Sequence, residues 1–229
     1  MNPGPILSLD LASALGSAAV WADGAIVGAA NRAVNPSAGA SHASLWRALL
    51  TESLTSAGLH RSALSLLAVT VGPGSFTGIR VGVAAMRGLG VGLGLRVWGE
   101  TAFAVAAEAV DAAGRPLLVA IDSGRGALFV QRFDAAGAPA GPAVDGPFEQ
   151  SAAPWAGEVG WVATGDAAAR AQLAAGGFHC LDPQVDSAAA LARRVARLRA
   201  AGAPLGAPLP LYIRPPDATP PAQGGRIRA

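Results

Sequence analysis

The sequence predicts an α/β protein of two related lobes, and three observations carry that reading. An apolar strand ending in a carboxylate, Pro5-Ile6-Leu7-Ser8-Leu9-Asp10, returns about halfway along as Pro116-Leu117-Leu118-Val119-Ala120-Ile121-Asp122. Each copy leads through a glycine-containing turn into a second strand (17–21 and 127–133) that ends in another turn, Asp23-Gly24 in the first case and Asp134-Ala135-Ala136-Gly137 in the second. Helical and extended patterns alternate after both hairpins, as in an α/β layer structure. An internal duplication accounts for all three.

After the first hairpin the periodicity predicts a helix over 43–57, a strand over 66–71, a helix over 79–93 and a short strand over 96–98. After the second it predicts a strand over 160–164, a helix over 167–175, a strand over 178–181 and a helix over 187–201. Asp186 or Ser187 caps this last helix, Leu191, Val195 and Leu198 mark its apolar face, and Gly202 stops it. Its arginines at 193, 194, 197 and 199 read as a solvated face in preference to an RNA-binding one. The lobes are expected at 1–106 and 107–214, with a flexible tail over 215–229 that is rich in Pro and Gly.

Composition narrows the chemistry. All 17 basic residues are Arg, so a P-loop lysine, a Schiff-base lysine and a kinase-type phosphate lysine are excluded together. A formal charge of +2 is too small for tight binding of a polyanion by this chain alone, and an aromatic content of 5% offers few stacking platforms, which disfavours a stand-alone RNA-binding module. Cys180 is the single cysteine, so no internal disulfide or cysteine-rich metal site can form, and a reducing, cytoplasmic setting is expected. The start of the chain lacks the pattern of a signal peptide, and the most apolar stretch, 81–98, is interrupted by Arg87, Arg96 and several glycines, so no membrane span is expected. Hydrophobic residues at 52% against 14% charged suggest apolar surface covered by a partner.

The most informative stretch is Val69-Thr70-Val71-Gly72-Pro73-Gly74-Ser75-Phe76-Thr77-Gly78-Ile79-Arg80-Val81-Gly82, where a strand runs into a Gly-, Ser- and Thr-rich loop that opens a helix. Such a loop suits either an anion held by backbone N–H groups or a tight strand-to-helix turn that needs glycine at positive φ. The run Gly72 to Arg80 closely resembles the signature of the TsaB (YeaZ) family, and the likeness extends to the strand ending in Asp10, the His42 helix, Gly99-Glu100-Thr101, the strand ending in Asp122 and Pro210-Leu211-Tyr212-Ile213-Arg214.

That resemblance implies an actin-like (ASKHA) fold of two duplicated RNase-H-like lobes. It implies the dimerisation subunit of the bacterial complex that makes N6-threonylcarbamoyladenosine in tRNA, supporting the catalytic paralogue TsaD, with the ATPase TsaE joining the pair. A second copy would replace TsaD in its absence, tRNA would be met only through the complex, and ATP and metal would belong to the partner subunits. The family's contact with TsaD is made by the first two long helices. On these the chain offers His42, Leu45, Trp46, Leu49, Leu50, Ile79, Val83, Met86, Arg87 and Gly90.

TsaD holds a metal through His-x-x-x-His on its first long helix; here the second position is Trp46, so no i,i+4 chelate can form and His42 reads as a packing or helix-start residue. The resemblance also implies a vestigial nucleotide cleft, expected at Asp10, Gly72, Gly74, Ser75, Thr77, Asp122, Ser123 and Gly124, with the carboxylates capping turns instead of serving a nucleotide. No catalytic residue, no metal and no cofactor is therefore expected in this chain. A stand-alone metallopeptidase or a small actin-like ATPase is the alternative, weakened by the missing chelate and by a first turn, Leu11 to Gly16, poor in phosphate-binding side chains.

Overall fold

A computed structural model describes residues 4–34, 41–124, 126–204 and 206–213. The first lobe opens with strand β1 (Ile6–Asp10), strand β2 (Leu15–Ala22) and strand β3 (Ala25–Ala33), followed by helix α1 (His42–Ser56), strand β4 (Leu66–Thr70), helix α2 (Phe76–Leu93) and strand β5 (Val97–Glu100). Its five-stranded sheet has the order β3-β2-β1-β4-β5, antiparallel through β3, β2 and β1 and parallel from β1 to β5. Helix α3 (Ala102–Glu108) then leads to the second lobe: strands β6 (Leu117–Gly124), β7 (Ala127–Phe133) and β8 (Val144–Pro147), a one-turn helix α4 (Phe148–Ser151), strand β9 (Val162–Gly165), and helices α5 (Ala167–Ala175) and α6 (Ser187–Ala200).

The second sheet repeats the first in the order β8-β7-β6-β9, and the place of a fifth strand is held by one parallel bridge, Ala163 to Cys180. The strand expected over 178–181 is therefore reduced to that bridge. Gly176-Gly177 ends α5 immediately before it, and Asp182-Pro183 follows, so few residues remain to extend the pairing.

Strand alternation decides which helix covers which face of the first sheet. Leu7, Leu9, Val20, Leu67 and Val69 pack under α1 and α2 against Leu45, Leu49, Leu50, Ile79, Val83 and Met86. Ile6, Trp21, Leu66, Ala68 and Trp98 face the other way, onto Leu191, Val195 and the alanines of α6. So α6, which follows the second sheet in sequence, covers the first, while α3 packs on β6, β7 and β9 of the second. The two lobes thus exchange their third helices.

Ion pairs fasten the exchange. Arg194 donates from Nε to Glu100 Oε2 at 2.9 Å with both side chains 14% exposed, Arg197 reaches Glu108 at 2.7 Å, and Arg199 donates to Ser65 Oγ. This corrects the reading of these arginines as a solvated face: only Arg193 and Arg197 are exposed, and the sequence periodicity gave no sign of a second lobe standing against α6. Residues 206–213 run back along the first lobe, where Gly99 N donates to Gly206 O and Leu211 N to Val71 O. Arg125, Arg214 and the tail over 215–229 lie outside the described residues. Among the described residues, no helix is long and apolar enough to cross a membrane.

Candidate functional site

The carboxyl ends of β1, β4, β6 and β9 and the N-termini of α2, α5 and α6 converge between the lobes on a cleft of about 1060 Å³. This is where α/β sheets usually place ligands, since strand ends and helix N-termini leave backbone groups to be satisfied. Here the chain satisfies many of them itself. Ser75 Oγ accepts from Gly78 N at the start of α2, Asp166 from Ala169 N at the start of α5, and Asp186 from Ala189 N at the start of α6.

Both strand-end carboxylates are turned onto their own loops. Asp10 accepts from Ala12 N through Oδ1 at 2.9 Å and from Ser13 Oγ through Oδ2 at 2.7 Å. Asp122 Oδ1 accepts from Gly124 N, and its backbone N–H donates to Asp166 Oδ2 at 2.7 Å. Asp10 is 2% exposed, and burial pushes its carboxyl above the ordinary range against the opposing pull of the Ser13 and Ala12 bonds. Thr70, also 2% exposed, stands near that carboxyl, and its hydroxyl has no hydrogen-bond partner among the described residues. Burial holds the His42 imidazole below its usual value, with the Asp10 charge acting in the opposite sense.

A raised carboxyl has a definite sign in stability. The folded state holds the Asp10 proton more firmly than the unfolded chain, so stability falls as pH rises above 3.8, the ordinary aspartate value, through the folded value. Asp10→Asn removes that ionisation and keeps an acceptor for Ala12 N. Its Tm is expected to gain on wild type between pH 4 and pH 8; a difference that stays constant with pH would contradict the assignment.

Two duplicated lobes of this strand order, each with helices on both faces of its sheet and a cleft between them, define an actin-like protein. The family described as "TsaD: tRNA N6-adenosine threonylcarbamoyltransferase" matches residues 31–177. Uncharacterized proteins of Mycobacterium tuberculosis and Mycobacterium bovis are 32% identical over 169 residues, covering 73% of this chain and 72% of theirs. The structure of YeaZ from Pseudomonas aeruginosa aligns with a TM-score of 0.74 at 23% identity, over 92% of this chain and 100% of that one. A second Pseudomonas aeruginosa structure, described as similar to the peptidase YeaZ, aligns at 0.76 with the same identity and coverage. The chain belongs to this threonylcarbamoyltransferase family, and its fold is that of the YeaZ (TsaB) members.

The actin-like fold raises the question of a Mg²⁺-bound nucleotide, and the cleft fits one poorly. At the cleft the N–H groups of Ala12 and Asp122 already bond to carboxylates of the chain, and Ser75 N donates to Ala12 O at 2.7 Å. A further phosphate acceptor would have to break these bonds. Among the described residues, no three His, Cys, Asp or Glu side chains come together as a metal site.

Of the residues expected around the cleft, Asp10, Gly74, Ser75 and Asp122 line it. Gly72 does not: it is buried at φ +111°, where an added Cβ would meet Ile79 and the Leu211 carbonyl. Thr77 is exposed on the outer side of α2, and Ser123 and Gly124 sit away from the cleft in the β6–β7 hairpin. His42, expected on a partner-facing surface, lines the cleft instead and lies against Gly78, because the start of α1 leans onto the first turn of α2.

The helix anchors need a larger correction. Leu45, Leu49, Leu50, Ile79, Val83, Met86 and Gly90 are buried, the six side chains among them in the lobe's own core, and are not free to meet a partner. Trp46 is half-buried against the same core and Arg87 is exposed. Sequence reasoning missed Thr70, Asp166, Asp186 and Ser187 as cleft residues. The internal repeat could have found Asp166, which follows β9 as the Gly72 loop follows β4.

Proposed function

We propose that this chain is a non-catalytic subunit of the tRNA threonylcarbamoyladenosine-modifying complex. It binds the catalytic paralogue TsaD and supports threonylcarbamoyl transfer to the adenosine next to the anticodon. TsaE joins the pair, tRNA is met through the complex, and ATP and metal belong to the partner subunits.

The observation that carries this reading is the outward side of α2. Once Ile79, Val83 and Met86 are committed to the core, the opposite side presents Thr77, Ala84, Gly88, Val91 and Gly92, with Val91 87% exposed and Phe76 49% exposed at the helix start. Added Cβ atoms at Gly88 and Gly92 would meet nothing within 4 Å. Glycine in an exposed helix interior costs about 1 kcal/mol relative to alanine, so two of them beside a bare valine need a reason other than this lobe's folding. Close approach of another helix supplies one.

Neutral bulk on that side tests the reading without touching the core. Ala84→Gln with Gly88→Gln is expected to keep or raise Tm, since Gln is a better helix former than Gly and both positions are exposed. The same pair should weaken assembly with TsaD at least tenfold, measured by size exclusion with light scattering and by titration. Unchanged assembly would rule out this side of α2 as the contact.

A further inference from the structure

The cleft between the lobes is lined by charge of one sign. Asp10, Asp122, Asp166 and Asp186 face it, and among the described residues lining it Arg170 alone carries a permanent positive charge. That guanidinium is already engaged, donating to Gly165 O at 2.8 Å and pairing with Asp182 at 3.1 Å. His42 also lines the cleft, and burial disfavours its protonated form. Asp166 and Asp186 cap α5 and α6, so the positive ends of those helices are met by carboxylates of the chain. An anion entering here would face four carboxylates and no free cation among the described residues.

Its floor has an unmet bond. Thr70, at the end of β4, lines the cleft with a buried hydroxyl that has no partner among the described residues. Beside it stand the Asp10 carboxyl and Ser187. Asp10 accepts one bond through each oxygen, from Ala12 N and Ser13 Oγ, and a carboxylate oxygen can accept two. Above this floor the wall is apolar: Ala102, Val105, Ala106 and Ala109 follow at helical spacing along α3 and its cap, and Ile121 and Val185 face the same space. Alanine at three of those four positions keeps the wall low. A largely apolar cavity with a few convergent polar groups at one end is the usual form of a small-molecule site.

We infer that the cleft binds a small molecule carrying a protonated amine on an apolar body, with the ammonium set on Asp10 and Thr70 and the body laid along α3. An ammonium brings three donors, and the Asp10 carboxylate with the Thr70 and Ser187 hydroxyls offers acceptors for them. The bond to Asp10 is charge-assisted, and it supplies the cation that this buried carboxylate lacks. A neutral alcohol would serve Thr70 and leave the Asp10 charge uncompensated, while a carboxylate or phosphate would be repelled. Thr77, Ala84 and Val91 on the outward side of α2 do not line this cleft, so the inference stands or falls separately from the preceding proposal.

The test uses three probes that share one apolar body and differ in the head: adamantylamine, adamantanol and adamantanecarboxylate. Each is titrated into the full chain and followed by amide NMR shifts, with circular dichroism as the check on the fold of variants. The amine is expected to bind with a Kd of about 1 mM or tighter, about tenfold tighter than the alcohol, with shifts confined to the residues lining the cleft and no binding of the carboxylate. Asp10→Asn should bring the amine down to the level of the alcohol. Thr70→Val should weaken the amine about fivefold while raising Tm, because it removes an unpaired buried hydroxyl, a pairing of effects that a purely structural role for Thr70 does not give. Ala106→Phe, which fills the space beside α3, should abolish binding of both the amine and the alcohol. Equal affinity for amine and alcohol, tighter binding of the carboxylate, shifts outside the cleft, or an amine affinity unchanged by Asp10→Asn or Thr70→Val would overturn the inference. So would a failure of the amine to bind below about 10 mM.

Discussion

Met86→Asp is expected to abolish folding, with loss of the cooperative thermal transition and of soluble expression. Met86 is 0% exposed, in the cluster that joins α2 to Leu7, Leu9, Leu67 and Val69 of the sheet and to Leu45 and Leu49 of α1. Shortening it to Ala would already cost about 2–5 kcal/mol through lost contacts and a cavity. An unpaired carboxylate there adds a desolvation cost of several kcal/mol more, and the sum approaches the roughly 5–15 kcal/mol by which whole domains are stable. The same change at Ala84, two residues away on the exposed side, should leave Tm within a few degrees. A folded Met86→Asp protein would mean that α2 turns a different side to the sheet, and the docking surface assigned above would then be wrong.

Gly78→Ala is expected to lower stability by roughly 2–3 kcal/mol, the upper part of the range for an overpacked methyl, and Tm by about 5–10 °C for a chain of this size. Alanine normally favours a helix, so the sign is informative. At Gly78 the first turn of α2 passes under the loop after β1, where a Cβ would press into the Leu11 carbonyl oxygen and come within 2.7 Å of the His42 ring. That loop is fixed, since Ala12 O accepts from Ser75 N and Ala12 N donates to Asp10. His42→Ala should recover part of the loss in a double-mutant cycle, and the share that remains belongs to the Leu11 carbonyl. A Gly78→Ala variant as stable as wild type would show that the loop and helix are not in contact.

Much of the fold was legible because its signals are local. Alternation and turn residues placed β1, β4 and β7 within a residue of their observed ends, and the cap at Asp186 placed the start of α6. Helix α2 begins at Phe76, three residues before the expected start, because Ser75 supplies the cap and Gly78 lies inside the first turn. Strand β8 and helix α4 gave no periodic signal, being four residues each.

What the sequence could not reveal was which side of a helix meets which sheet. Helix α2 is apolar nearly all round, so Val83 and Met86 looked as free as Ala84 and Val91, and only packing against β4 separates them. Similarly, Arg194 lies on a helix with a regular charged stripe, and its burial depends on Glu100 and Glu108, about ninety residues earlier. The candidate cleft was half legible: Asp10 and Asp122 stand at strand ends that sequence can locate, whereas Ser187 reaches the cleft at the start of α6, which follows the second sheet in sequence but packs on the first.

The central claim is that this chain acts by supporting a catalytic paralogue and does not perform the reaction itself. The most direct measurement is nucleoside analysis of tRNA after incubation with a threonylcarbamoyl donor, ATP and TsaE, in the presence of this chain alone, TsaD alone, or both. The account predicts modified adenosine at the expected level only with both, reduced in proportion to lost assembly when Ala84→Gln with Gly88→Gln replaces wild type. Modification by this chain without TsaD, or full activity of TsaD without this chain, would contradict it.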